Sequence, residues 1–193
     1  MLILASTSET RRMLLANAAI PFEARPSRVD EALVRDALLS EGHAPREIAD
    51  ALAEMKALRV RAPGLVLGCD QTADHDGTLL SKPNTREEAV AQLRRLSGGT
   101  HRLHSAAVVA EAGRPVWRHV ATVRMDMRSA SEAYLQGYVS RNWDEIRHSA
   151  GSYTLEGEGA RLFHRVEGDY FAVLGLPLLP LIDFLITRGE IAA

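Results

Sequence analysis

A few short segments of this chain carry residue types that together could handle a polyanion and a metal ion. Ser6-Thr7-Ser8 is followed by Arg11 and Arg12. If these hydroxyls open a helix, its free N–H groups face an anion, and a guanidinium one turn in can grip a phosphate bidentately. The segment lacks the glycines of a P-loop, so the competing reading is an ordinary helix cap followed by solvated arginines. Asp70 follows the apolar run Leu65-Val66-Leu67-Gly68-Cys69. A carboxylate at the carboxyl end of a strand in an open α/β sheet can hold a divalent ion or activate water. A turn-initiating Asp is the alternative. Lys82, before Pro83, offers a cation for the same phosphate chain, or is a solvated loop lysine. Glu31, in Val29-Asp30-Glu31, and Lys56 could complete such a site, or be surface charges.

Other signals are weaker. His101 and His104 fall on opposite faces of a predicted strand, which argues against zinc. Asp74-His75-Asp76-Gly77 lacks the rest of a calcium loop and reads as a turn. Gly151-Ser152 and Gly157-Glu158-Gly159 are too short for a dinucleotide fingerprint, and Trp117 and Trp143 do not make an aromatic and basic platform for single strands.

The elements that must position these residues follow from periodicity. Buried strands alternate with amphipathic helices, the pattern of an α/β protein. Residues 2–5 read as a short strand leading into a helix over 11–19, with Glu9 as a capping-box residue. Pro45 opens a second helix to about residue 61, with Ile48, Leu52 and Met55 on one face. Residues 65–69 form a buried strand with Asp70 at its end, 74–77 a turn and 78–80 a returning arm. Thr85 and Glu88 make a capping box for a helix ending at Ser97-Gly98-Gly99. Residues 100–110 and 116–127 form a long hairpin, Ser131 caps a helix to about residue 139, 160–166 is a strand, and 180–186 is a closing helix.

Composition narrows the class. The chain has 193 residues, 46% of them apolar, enough for one continuous core. Twenty-three Lys and Arg against 25 Asp and Glu leave a formal charge of -2, which gives no electrostatic reason to expect a nucleic-acid polymer or an anionic membrane as partner. The lone Cys69 requires no oxidising compartment, and a cytoplasmic setting fits. The start lacks a basic leader. The most apolar stretch, 171–186, carries Gly175, Pro177, Pro180 and Asp183 and falls short of the roughly 20 residues a membrane span needs.

Taken in order, the segments resemble the Maf family of nucleoside triphosphate pyrophosphatases. They are Leu4-Ala5-Ser6-Thr7-Ser8 with Arg11, Val29-Asp30-Glu31, Leu52-Ala53-Glu54-Met55-Lys56-Ala57, Gly68-Cys69-Asp70-Gln71, Lys82-Pro83, and Leu96-Ser97-Gly98-Gly99-Thr100-His101. Further on come Ala150-Gly151-Ser152-Tyr153, Leu155-Glu156-Gly157-Glu158-Gly159, and Val173-Leu174-Gly175-Leu176-Pro177-Leu178. The resemblance implies a mixed α/β fold: a twisted sheet with flanking helices and two lobes around a nucleotide-binding cleft, similar to inosine triphosphate pyrophosphatase. Residues 1–193 would form this single two-lobed domain, commonly as a homodimer. It implies a nucleoside triphosphate substrate and a divalent metal, Mg²⁺ or Mn²⁺, with hydrolysis between the α and β phosphates. By position, Asp70 activates water and Glu31 is a second carboxylate, both near the metal. Ser8, Arg11, Lys56 and Lys82 hold phosphate. The family is also associated with regulation of septation, which implies, as an alternative, a nucleotide-binding regulator with weak hydrolysis.

Selectivity positions refine this resemblance. Asp70-Gln71 and Glu156-Gly157 are similar to the 7-methyl-GTP branch, in which a carboxylate such as Glu156 can accept from the N1–H and exocyclic amine of a guanine edge. Thr10 is the third such position, and there the chain departs both from that branch and from the family's dTTP and UTP branch, while Glu9 replaces a usual Pro. Met55 stands for a usual Glu beside Lys56, and Ser105-Ala106 for a common Thr-Gly.

Overall fold

The computed structural model describes residues 1–192, and its elements are strands joined by helices or by tight turns. In chain order these are β1 (Leu2–Leu4), α1 (Glu9–Asn17), β2 (Phe22–Ala24), α2 (Glu31–Ser40), α3 (Pro45–Arg59), β3 (Leu65–His75), β4 (Thr78–Leu80), α4 (Arg86–Leu96), β5 (Thr100–Glu111) and β6 (Arg114–Met127). Then come α5 (Glu132–Ile146), a 3₁₀ turn (Glu158–Leu162), β7 (Phe163–Glu167), α6 (Tyr170–Val173) and α7 (Leu178–Thr187). The sheet order among the described residues is β2-β1-β3-β5-β6-β7, with β4 on β3. The fold is thus mixed α/β, as expected.

The chain divides into two compact units. The first comprises Met1–Gln71, His104–Thr122 and the residues from Asp169 onward, and the second Thr72–Leu103 with Val123–Gly168. In the first, β1 lies between β2 and β3, parallel to both, with Leu2 opposite Phe22 and Ile3 opposite Val66. Strand alternation then sorts side chains onto two faces. Cys69, Ala107 and Val109 join Leu14, Leu15, Leu176, Leu178 and Leu181 in one core. Ala106, Val108 and Ala110 pack against Ala49, Ala53 and Ala57 of α3 in the other. The second core is built from small residues, so α3 lies close to the sheet. Gly68 makes the closest approach: a methyl there would overlap Ala53 O and lie 2.5 Å from Ala57 N.

In the second unit Asp76 (φ 52°) and Gly77 (φ 78°) form the two-residue turn between β3 and β4. β6 pairs with β7 antiparallel, Met125 opposite Val166. His101 and Tyr153 are buried together, with His101 Nε2 2.6 Å from Tyr153 Oη. Burial holds the imidazole's pKa down at about 4 and pushes the Tyr153 phenol up. Both groups are therefore neutral at pH 7, and one hydrogen bond joins them. In the unfolded chain His101 takes its proton near pH 6.5. Its contribution to stability is intact above that pH and drains as pH falls toward 4, by roughly 3 kcal/mol in all. Urea denaturation of wild type and His101→Gln at pH 7 and pH 4.5 checks this: the variant should lose less stability on acidification, and equal losses would remove His101 from the acid response.

Several boundaries differ from the sequence expectation. The strand thought to end before Asp70 continues to His75, because Thr72 and Asp74 are buried polar residues within it; Asp74 Oδ1 accepts from Gly77 N at 2.7 Å. Asp70 thus sits mid-strand. α2 and β2 were not expected: α2 has no buried side chain to mark a periodic face, and β2 is three half-buried residues. The helix at Pro45 is therefore the third. Ser8, not an earlier hydroxyl, caps α1, and Glu9 pairs with Arg12 instead of closing a capping box. At α4 Glu88 reaches Asn84 N, one residue before the Thr85 cap. α5 runs seven residues beyond 139 because buried Ile146 completes its apolar stripe. Residues 160–162 are a 3₁₀ turn, not strand, with Gly159 pressed against Thr154 O. The short helix α6, capped by Asp169, was not expected. No helix among the described residues is long and apolar enough to cross a membrane.

Candidate active site

β1 stops at Leu4, and the place where it leaves β3 is where charged side chains gather. Ala5 N still donates to Leu67 O at 2.8 Å. Two residues further along that edge, Cys69 O has no strand donor from β1. It accepts instead from Arg11 Nη1 at 3.0 Å and Lys56 Nζ at 3.4 Å. α1 begins at this spot because Ser8 Oγ caps it by accepting from Arg11 N, while Ser6 Oγ accepts from Ser8 N and from Arg11 Nη1. This is the crevice at the carboxyl end of a parallel strand, where α/β sheets bind ligands.

The close packing of α3 on Gly68 delivers Lys56 into the same crevice. Lys56 is only 4% exposed, so it is no surface charge. Its Nζ lies 2.6 Å from Asp70 Oδ1 and 2.8 Å from Glu31 Oε1. Gly68 and Asp70, two apart on β3, share the face toward α3. Asp30 caps α2 by accepting from Leu33 N, which fixes the first turn from which Glu31 reaches Lys56. Asp70 is 6% exposed, and burial pushes its carboxyl above the ordinary range, against the pull of Lys56 and Arg11. Asp70 Oδ2 has no hydrogen bond from a described residue. The Cys69 thiol on the opposite face is pushed up to about 11 by burial and is not a thiolate at neutral pH.

Ser8, Arg11, Glu31, Lys56 and Asp70 are therefore brought together. Gln71 is next in sequence but turns to the other face, donating to Ser105 Oγ and to the carbonyls of Ala172 and Val173. Thr10 lies half-buried on α1. Lys82 and Glu156 belong to the second unit, Lys82 exposed after β4 and Glu156 exposed in the turn before the 3₁₀ segment. Sequence reasoning missed the backbone acceptors, Cys69 O and Gly175 O, that hold the cations. It also missed Gly68, although a glycine inside an apolar strand run is itself a sign of close backbone approach.

The arrangement pairs two carboxylates with two cations around one carbonyl. It can bind anionic oxygen through Arg11 and Lys56 and take a proton on Asp70. Among the described residues no three His, Cys, Asp or Glu side chains form a metal-ligand group. Asp70 and Glu31 converge on one cationic point, however, and Mg²⁺ sites commonly use one or two carboxylates completed by substrate phosphate and water.

Comparison with known proteins identifies the family. The model of the family described as Maf-like protein matches residues 1–188. The chain is 56% identical over 193 residues to a protein of Roseobacter denitrificans named nucleoside triphosphate pyrophosphatase, covering 98% of this chain and 97% of that one. It is 58% identical over 193 residues to a protein of the same name from Ruegeria pomeroyi, with the same coverage. A third so named, from Caulobacter vibrioides, is 50% identical over 190 residues, 97% of this chain and 96% of that one. From the Ser8 cap through the Asp70 strand to the carbonyl of Gly175, the crevice lies within the matched span, and the chain belongs to the Maf family.

Proposed function

We propose that the chain is a nucleoside triphosphate pyrophosphatase, hydrolysing its substrate between the α and β phosphates to a nucleoside monophosphate and pyrophosphate. The observation that carries this is the Lys56 ammonium held between Asp70 and Glu31, with Arg11 on the same carbonyl. A water donates its proton to Asp70 Oδ2 as its oxygen bonds to the α phosphorus, and the bridging P–O bond breaks with its electrons leaving on pyrophosphate. The raised affinity of buried Asp70 for a proton suits it to this task. Arg11 and Lys56 neutralise charge that develops on phosphate oxygens, and the hydroxyl of Ser8, beside Thr10 on the first turn of α1, offers a donor to the same chain. Lys82 is assigned to the outgoing phosphates. Asp70 and Glu31 would hold Mg²⁺ or Mn²⁺, which when bound supplies further positive charge to the triphosphate.

A guanine-type substrate such as 7-methyl-GTP is supported by Glu156, an exposed carboxylate able to accept from two adjacent N–H donors. The test is pyrophosphate release from GTP, 7-methyl-GTP, dTTP and UTP with each metal. Release from none of them would overturn the reading. Glu156→Gln is expected to lower guanine preference over pyrimidine by about tenfold, the worth of one charged hydrogen bond; an unchanged ratio removes Glu156 from base reading. Because burial raises the Asp70 carboxyl, the acid limb of kcat/KM should lie above the ordinary aspartate value, with activity rising as Asp70 ionises. A limb at the ordinary value would mean another group is titrating.

A further inference from the structure

Helix C-terminal carbonyls lack partners within their own helix. α6 is four residues long and turns sharply at Gly175 (φ 92°). Its last carbonyls are met by side chains from distant elements. Gln71 Nε2 is 2.9 Å from both Ala172 O and Val173 O, and 2.8 Å from Ser105 Oγ. Ser105 Oγ lies 2.5 Å from Ala172 O and gives it its single proton, so toward Gln71 it can only accept. Three acceptors around one nitrogen fix the amide, because the reversed orientation would set Gln71 Oε1 against two carbonyls. Beyond them, Gly175 O accepts from Arg11 Nε at 2.8 Å, and Arg11 Nη1 holds Cys69 O. Arg11 Nη2 is left as the guanidinium nitrogen with no hydrogen bond to a described residue.

From this chain of bonds we infer that Gln71 and Ser105 are positioning residues for Arg11. They hold the 172–175 backbone so that Gly175 O and Cys69 O together orient the guanidinium and present Nη2 to an oxygen of the bound phosphate chain. The inference rests on the triphosphate reading above. It gives Gln71 a different task from the selectivity role that the family resemblance implies, and it gives Ser105 a task where none was assigned.

Gln71→Glu has the same shape but sets two oxygens against the Ala172 and Val173 carbonyls. Its kcat/KM should fall by the same factor for GTP and UTP, about tenfold or more given the loss of hydrogen bonds that orient a charged group. The Kd of tripolyphosphate, which has no base, should rise equally by calorimetry. Ser105→Ala should move these values in the same direction, and Ser105→Thr, which keeps the hydroxyl, should restore them. A loss that depends on the base, or that spares tripolyphosphate, would overturn the inference and make Gln71 a base contact. A lower melting temperature with unchanged kcat/KM and Kd would overturn it as well. Tripolyphosphate affinity requires no turnover. A wild type that binds it without hydrolysing nucleotides would sink the enzyme reading alone, and one that does not bind it would sink this inference.

Discussion

Asp70→Asn should lower pyrophosphate release by a factor of about 10²–10⁴, the range for losing a positioned general base, while the protein stays folded. The amide keeps the shape of the carboxyl, and its oxygen can still accept from Lys56 at the place of Asp70 Oδ1. It cannot take a proton from water. Stability should change little for two opposing reasons. Asp70 is buried and strained toward its neutral form, so removing its charge relieves a desolvation penalty. Lys56 loses half of its compensation but keeps Glu31 at 2.8 Å. A buried ion pair of this kind is weak support for a fold, which is a reason to look for its value in chemistry. Steady-state pyrophosphate release with a thermal melt on the same samples separates the two effects. A variant that melts like wild type and retains full activity would remove Asp70 from the mechanism.

Gly68→Ala is expected to be the most damaging single methyl in the first unit, destabilising by about 3 kcal/mol or more, at or beyond the upper end for overpacking a core. The new carbon would overlap Ala53 O and lie 2.5 Å from Ala57 N and 3.0 Å from Ala57 Cβ. Two of those three atoms are backbone, so no rotamer change relieves them. The relief available is movement of α3 away from β3, and Lys56 is the residue next to Ala57 on that helix. Activity should therefore fall along with stability, even in the fraction that remains folded. Urea denaturation midpoints and specific activity below the transition measure the two losses. Wild-type values for both would mean that the close approach at Gly68 does not place Lys56.

How much of this was legible beforehand depends on whether the signal lay in side-chain type or in backbone geometry. The α/β alternation, the turn after β3, the long hairpin of β5 and β6, and the candidacy of Glu31, Lys56 and Asp70 for one site follow from apolar patterning, turn residues and ordered motifs. What escaped has a physical cause in each case. Asp70, Thr72 and Asp74 interrupt an apolar run, yet the strand continues, with Lys56 donating to Asp70 Oδ1 and Gly77 N to Asp74 Oδ1. α2 buries nothing fully, and Leu33 on it is 68% exposed, so no periodic face announces it. Arg11 looked like a free phosphate clamp. Two of its nitrogens are instead committed to Gly175 O and Cys69 O, residues 164 and 58 positions away, and no residue type marks a carbonyl as an acceptor.

The central claim is that this crevice directs water to the α phosphorus of a nucleoside triphosphate. Turnover of GTP or 7-methyl-GTP in ¹⁸O-enriched water with Mg²⁺, followed by phosphorus NMR, tests it most directly. The expected result is equal amounts of nucleoside monophosphate and pyrophosphate, with the label on the monophosphate. Nucleoside diphosphate with orthophosphate, or label on pyrophosphate, would contradict it.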